Sequence, residues 1–107
     1  MKLKSTQVIV NDAGEIIMGN GRMQILASLN QTGSINKTAK EMKMSYKTAW
    51  SKIQTTQKNF GKPVVQADKK TGTRLTSDGH NLLEKFKLLK QRCIQADDTI
   101  FKNLFPG

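Results

Sequence analysis

The sequence predicts a mostly α-helical chain with small β elements, and three observations predict it. Apolar residues recur at helical spacing through Met23, Ile25, Leu26 and Leu29, and again from Leu82 to Leu104. Ser34 and Ser45 stand where N-caps would start two further helices. Runs rich in β-branched residues flank Asn11-Asp12-Ala13-Gly14 and Asp68-Lys69-Lys70-Thr71-Gly72, which mark two strand-turn-strand units.

In chain order, residues 2–10 (Lys-Leu-Lys-Ser-Thr-Gln-Val-Ile-Val), the turn at 11–14 and the short run Glu15 to Met18 give a β-hairpin over 1–18. Asn20-Gly21 leads into a first helix, about 21–31, and Thr32-Gly33 stops it. Ser34 caps a short second helix that turns Ile35, Thr38, Ala39 and Met42 inward and breaks near Lys43. Ser45 caps a third helix running to about Asn59, with Ala49, Trp50 and Ile53 inside and Lys47, Ser51 and Lys52 outside. Residues 21–62 thus form a three-helix core.

Pro63 to Ala67, the turn at 68–72 and Thr73 to Thr76 read as a second, basic hairpin over 63–76. From 77 to 105 the pattern is helical. Leu82, Phe86, Leu89, Cys93, Ala96, Ile100 and Leu104 are spaced 4, 3, 4, 3, 4 and 4. At 1.5 Å per residue such a helix extends about 40 Å, more than the small core can cover. Part of the seam is therefore expected to meet a second copy, through Leu82, Phe86, Leu89, Cys93, Ile100 and Leu104. No repeat, low-complexity tract or linker divides the chain further, so one domain is expected over 1–107.

Composition narrows the function classes. With 107 residues and 36% hydrophobic content, the chain has material for a core but not for a large internal cavity. No run approaches the roughly 20 apolar residues of a membrane span. The N-terminal MKLKSTQVIV lacks the unbroken apolar run of an export signal, and a cytoplasmic location is expected. One cysteine, Cys93, and one histidine, His80, supply neither a disulfide nor a zinc site, and no cofactor or metal is expected. The carboxylates are scattered over turns and one helix surface. With no nucleophile-base set and no phosphate-binding glycine loop, the sequence points away from catalysis.

The net charge is +10 with a pI near 10.0, and its distribution matters more than its size. Ten Lys and Arg residues lie between Ser34 and Arg74 against only Glu41 and Asp68, so this window carries +8. A polyanion is the implied partner.

The second helix, a short turn and the third helix can cross steeply only if the crossing residue is small, and Ala39 supplies it. Met42, Met44, Ala49 and Ile53 fill the wedge beneath, which leaves the start of the third helix as a free edge. Such an edge fits the major groove of double-stranded DNA. Tyr46, Lys47 and Ser51 face outward on it, lysine being able to donate to guanine O6 or N7; Thr48 and Lys52 flank them. Helix N-termini at Ser34 and Ser45 offer N–H donors to phosphates, with Lys37 nearby. Lys69, Lys70, Thr71 and Arg74 surround the tip of the second hairpin, which would form the wing of a winged helix. An RNA-binding or protein-adaptor role for the same basic surface is the alternative.

The run GSINKTAKEMKMSYKTAW at 33–50, followed by a hairpin ending in RLTSDG, resembles the N-terminal DNA-binding region of the molybdate-responsive ModE family of transcription regulators. More distantly it resembles the winged helix of LysR-type regulators. Gly33-Ser34-Ile35, Ala39, Ser45 to Trp50, and Leu75-Thr76 with Gly79 carry the likeness, which covers the whole chain. The resemblance implies a dimeric winged helix whose last helix contributes to dimerisation. It also implies that Ser45, Tyr46, Lys47, Thr48 and Ser51 read DNA, and that 69–74 form the wing. Two departures are evident. Lys43 replaces the glycine that many such turns use to reach a left-handed conformation. The family's molybdate-binding domains lie beyond this region, so molybdate is not expected to bind this chain alone.

Among the remaining residues, Trp50 is read as packing the root of the wing and Tyr46 as an external contact. The five methionines are read as core filler in the first three helices, and His80 as a surface or packing residue.

Overall fold

The computed structural model describes all 107 residues. Its elements run β1 (Ile9–Val10), β2 (Ile16–Met18), α1 (Asn20–Thr32), α2 (Ile35–Glu41), α3 (Tyr46–Phe60), β3 (Val65–Asp68), β4 (Gly72–Leu75) and α4 (Ser77–Leu104). The strands form two separate antiparallel pairs, β1 with β2 and β3 with β4.

One core joins these pieces. Ile25, Leu26 and Leu29 of α1 meet Ile35 and Ala39 of α2, Ala49 and Ile53 of α3, Val64, Val65 and Leu75 at the base of the second hairpin, and Leu83 and Phe86 of α4. Burying these aliphatic side chains supplies the main favourable term in folding. Ala39 and Ala49 are both buried, so α2 and α3 cross where the expected small residues stand. Met42, Met44 and Trp50 pack partly buried against the same cluster.

A line of hydroxyls crosses the α1–α2 contact. Ser28 Oγ lies 2.5 Å from Glu41 Oε2 and 3.1 Å from Thr38 Oγ1, which is 3.4 Å from Thr32 Oγ1. Thr38 is fully buried, and pairing its hydroxyl avoids the cost of a stranded polar group.

Helix ends follow the capping residues. Ser34 accepts from the Lys37 N–H at 3.1 Å and Ser45 from the Thr48 N–H at 3.1 Å. Gly33 and Gly61 close α1 and α3 in left-handed conformations. Between α2 and α3 the same task falls to Lys43, whose φ is 55°. Met44 N–H donates to Ala39 O and Lys43 N–H to Lys40 O, which makes a complete Schellman closure with a lysine at the position glycine prefers.

Three expectations need correction. The first hairpin does not extend over 1–18: strand pairing is confined to Ile9–Val10 and Ile16–Met18. Only three residues of the returning strand precede α1, so residues 1–8 have no strand to pair with; Met1 to Leu3 and Ser5 lie against the distal end of α4, while Val8 sits beside Ile16 and Gly19. Phe86 is not a dimer residue. It is 0% exposed within this chain, and Leu82 beside it also packs on the core. The methionine reading holds in full for Met23 of α1; Met42 and Met44 pack against the core from the turn between α2 and α3, Met18 is buried in β2 and Met1 is 95% exposed.

Candidate nucleic-acid interface

At 3.6 residues per turn, the buried side of α3 is set by Ala49, Ile53 and Thr56. The opposite side carries Lys47, Ser51, Gln54 and Lys58 at spacings of 4, 3 and 4, all exposed. Helix α3 contains no Asp or Glu. Its exposed stripe is therefore purely basic and amide or hydroxyl in chemistry, with both donors and acceptors available.

The residues expected to read DNA do not all share this stripe. Lys47 and Ser51 lie on it. Tyr46 is 49% exposed at the shoulder between the stripe and the core, free for external contact. Ser45 and Thr48 are exposed, but their hydroxyls bond to one another at 2.9 Å as part of the helix cap. Lys52 is half-buried and lines a groove with Gly19, Gly21 and Arg22 at the start of α1; its main-chain carbonyl accepts from Arg22 at 3.2 Å. Arg22 also donates to Thr56 Oγ1 at 2.9 Å, and partial burial lowers its pKa from the ordinary guanidinium value. Gln54 and Lys58 continue the stripe about one and two turns beyond Ser51 and are not among the residues expected to read DNA. The 47, 51, 54, 58 spacing was the signal that finds them.

The second hairpin is held to α3 and to the α1–α2 turn by backbone-directed bonds. Gln57 Oε1 accepts from the N–H groups of Val64 and Val65 at 3.0 and 3.2 Å, which ties the α3 side chain to the hairpin's base. Thr73 N–H donates to Gly33 O at 3.0 Å. The tip is shaped by Asp68, whose Oδ1 accepts from Lys70 N at 2.8 Å and Thr71 N at 3.2 Å. These N–H donors hold the Asp68 carboxyl below its ordinary pKa. Lys69, Lys70, Thr71 and Arg74 are exposed around that turn.

Ser34 is half-buried and Lys37 exposed at the start of α2. Only two ion pairs form in the whole chain, Lys62 with Asp78 at 3.9 Å and Lys87 with Glu84 at 3.5 Å. None of Lys37, Lys40, Lys43, Lys47, Lys52, Lys58, Lys69, Lys70 and Arg74 is neutralised from within. His80 is exposed, and no helix is long and apolar enough to cross a membrane.

On α4, Leu89, Ile100 and Leu104 are exposed, Leu104 at 71%, while Cys93 is half-buried. The expected seam thus divides. Its first part belongs to the core, and its later part is open.

The family model of bacterial regulatory helix-turn-helix proteins of the LysR family matches residues 21–80. The chain is 34% identical over 74 residues to the transcriptional regulator ModE of Haemophilus influenzae, covering 65% of this chain and 29% of that protein. It is 35% identical over 88 residues to the molybdenum-pterin-binding protein MopA of Rhodobacter capsulatus, covering 78% of this chain and 33% of that one. The chain thus spans about a third of the length of these relatives. Among solved structures, the CbnR DNA-binding domain in complex with DNA is similar with a TM-score of 0.66 at 17% identity, covering 82% of this chain and 100% of that one. The BenM DNA-binding domain on catB site 1 DNA gives 0.61 at 16% identity, covering 84% and 99%. At these identities the structural likeness shows the fold, a winged helix-turn-helix.

Proposed function

Because this chain belongs to the LysR family of bacterial regulatory helix-turn-helix proteins, we propose that it is a DNA-binding transcriptional regulator. In this reading it acts without catalysis, in the cytoplasm, as a homodimer that recognises a specific duplex sequence. The observation that carries the reading is the exposed stripe Lys47, Ser51, Gln54 and Lys58 on a helix without a single carboxylate, next to a hairpin with an unpaired basic tip. An α-helix fits the major groove of B-form DNA, where lysine and glutamine can donate to guanine and pair with adenine. The deep, narrow major groove of A-form RNA would not admit it, which favours duplex DNA over RNA.

In this reading Lys47, Ser51, Gln54 and Tyr46 meet base edges. Ser45 and Thr48 act chiefly as the cap that presents them, and Lys52 is a backbone contact at the helix flank. Ser34 and Lys37 at the start of α2 meet a phosphate. Lys69, Lys70, Thr71 and Arg74 form the wing and address the backbone or the adjoining minor groove. Two copies meeting through Leu89, Cys93, Ile100 and Leu104 would present their α3 helices about 34 Å apart, one helical turn of DNA. The relative MopA is named for binding molybdenum-pterin, yet this chain spans about a third of that protein. Molybdate binding is therefore not assigned to this chain.

Selection of bound duplexes from a random library tests the proposal. A two-fold symmetric consensus with half-sites about one turn apart is expected. Failure to enrich any sequence, or preference for structured RNA at matched salt, would refute it.

A further inference from the structure

We infer that the N-terminal arm, residues 1–7, sets the bearing of the distal half of α4 and thereby the separation of the two reading helices. The inference rests on the DNA-binding dimer proposed above and concerns how that dimer measures its site. Phe86 is the last fully buried side chain of α4. Beyond it, residues 87–104 extend about 27 Å at 1.5 Å per residue with no hydrophobic core beneath them.

Two kinds of tie hold this overhang. Lys90 Nζ donates to Asn20 Oδ1 at the start of α1. Farther out, every tie comes from the arm. The Ser5 hydroxyl donates to Asp97 Oδ2, and Gln7 Nε2 donates to Ser5 Oγ at 3.1 Å. Leu3 joins Ile100, Phe101, Leu104 and Phe105 around a shallow apolar groove of about 220 Å³. The arm's path is marked by Asp97, which takes the Ser5 hydroxyl, and by Asp98 and Phe101, which line a groove with Met1, Lys2 and Leu3. Ile94, Asp97, Asp98 and Phe101 are half-buried on one stripe, while Leu89, Ala96, Ile100 and Leu104 on the adjoining stripe are exposed. The arm lies against Asp97, Asp98 and Phe101 and only borders Ile100 and Leu104, which stay 57% and 71% exposed and open for a second copy.

Leverage makes this consequential. From Lys90 to Leu104 the helix runs about 21 Å, so a tilt of about 10° moves its end about 4 Å. Applied to both copies, that is about 7 Å, or two base pairs at about 3.4 Å each. An arm that fixes the tilt fixes which half-site spacing the dimer accepts. Leu3 and Ser5 are positioning residues, acting on DNA only through α4.

The test is binding of the full chain to paired half-sites whose separation is varied one base pair at a time, with an isolated half-site as control. The wild-type chain is expected to prefer one spacing about tenfold over its neighbours, and Leu3→Ala/Ser5→Ala to flatten that preference to about threefold or less with half-site affinity unchanged. Asp97→Asn retains an acceptor for Ser5 and is expected to keep the wild-type profile. An unchanged profile in Leu3→Ala/Ser5→Ala overturns the inference, as does an equal loss at the isolated half-site, which would make the arm a mere stabiliser. A second measurement needs no DNA. Spin labels at Gln54→Cys and Asn103→Cys in a Cys93→Ser background, diluted with unlabelled chain, report the α3–α4 distance. The distribution should broaden in Leu3→Ala/Ser5→Ala; a distribution as narrow as in the parent overturns the inference. If the wild-type chain binds no DNA at all, the function proposed above fails, while this distance still decides whether the arm holds α4.

Discussion

Gly33 and Gly72 pass so close that a Cβ on Gly72 would lie 2.2 Å from the Gly33 carbonyl oxygen, which also accepts from Thr73 N–H at 3.0 Å. The turn between α1 and α2 thus clasps the wing through backbone alone. Gly72 has φ +86°, and Gly33 has φ +67° with Thr71 O 3.0 Å from where its Cβ would stand. Each glycine is required twice, once for its conformation and once for the approach.

Gly72→Ala therefore breaks the clasp. The left-handed strain alone costs about 1–2 kcal/mol, and the clash with a backbone oxygen adds to it. A total loss above about 2 kcal/mol lowers the melting temperature by roughly 10 °C. A thermal melt that matches wild type would show that the wing is not fastened here.

At the other turn the opposite change helps. Lys43 holds φ 55° at the closure of α2, so Lys43→Gly should raise stability by about 1 kcal/mol in urea titration. A destabilised Lys43→Gly chain would mean that the lysine side chain contributes more than its backbone costs.

The reading stripe and the wing separate by salt and by sequence. Lys47→Ala and Gln54→Ala are each expected to cost about 1–3 kcal/mol on the selected site and little on random duplex. Lys70→Ala should weaken both alike and reduce the salt slope by about one. Equal losses on both duplexes for Lys47→Ala would remove it from the reading set.

Phe86 and Leu104 occupy the same sequence seam but different environments. Phe86→Ala should cost about 3–5 kcal/mol in unfolding free energy because it empties a core position. Leu104→Ser should leave secondary structure intact and weaken self-association in sedimentation. A Leu104→Ser chain that self-associates as wild type would place the interface elsewhere.

Asp68 gives the wing tip a defined acid response. Its folded-state carboxyl is held below the ordinary value by the Lys70 and Thr71 N–H donors. The stabilisation is therefore present above the unfolded pKa and is lost as pH falls through the lowered folded value. Carboxyl NMR should place Asp68 below a free aspartate, with the Lys70 and Thr71 amide shifts following the same curve. Titration at the ordinary value would mean that the turn is open in solution.

Much of this architecture was legible because local chemistry and global fold agree. Ser34 and Ser45 cap the helices they announce, and Ala39 with Ala49 sit where two helices cross. The hairpin at 63–76 follows from its turn residues. Legibility failed where one pattern admits two partners. Phe86 and Leu104 are both apolar positions on one helical face, and periodicity does not say which of them lies over the chain's own core.

By itself, then, the sequence determined the order of helices and turns, the basic window from 34 to 74 and the small residues at the crossing, since each depends on spacing along the chain. Only the tertiary structure decided what long-range contacts control. It placed the first residues of the chain along α4 instead of in a strand, and it set Lys52 beside the start of α1. It also brought Gly33 against Gly72, two residues far apart in sequence whose contact no local signal encodes.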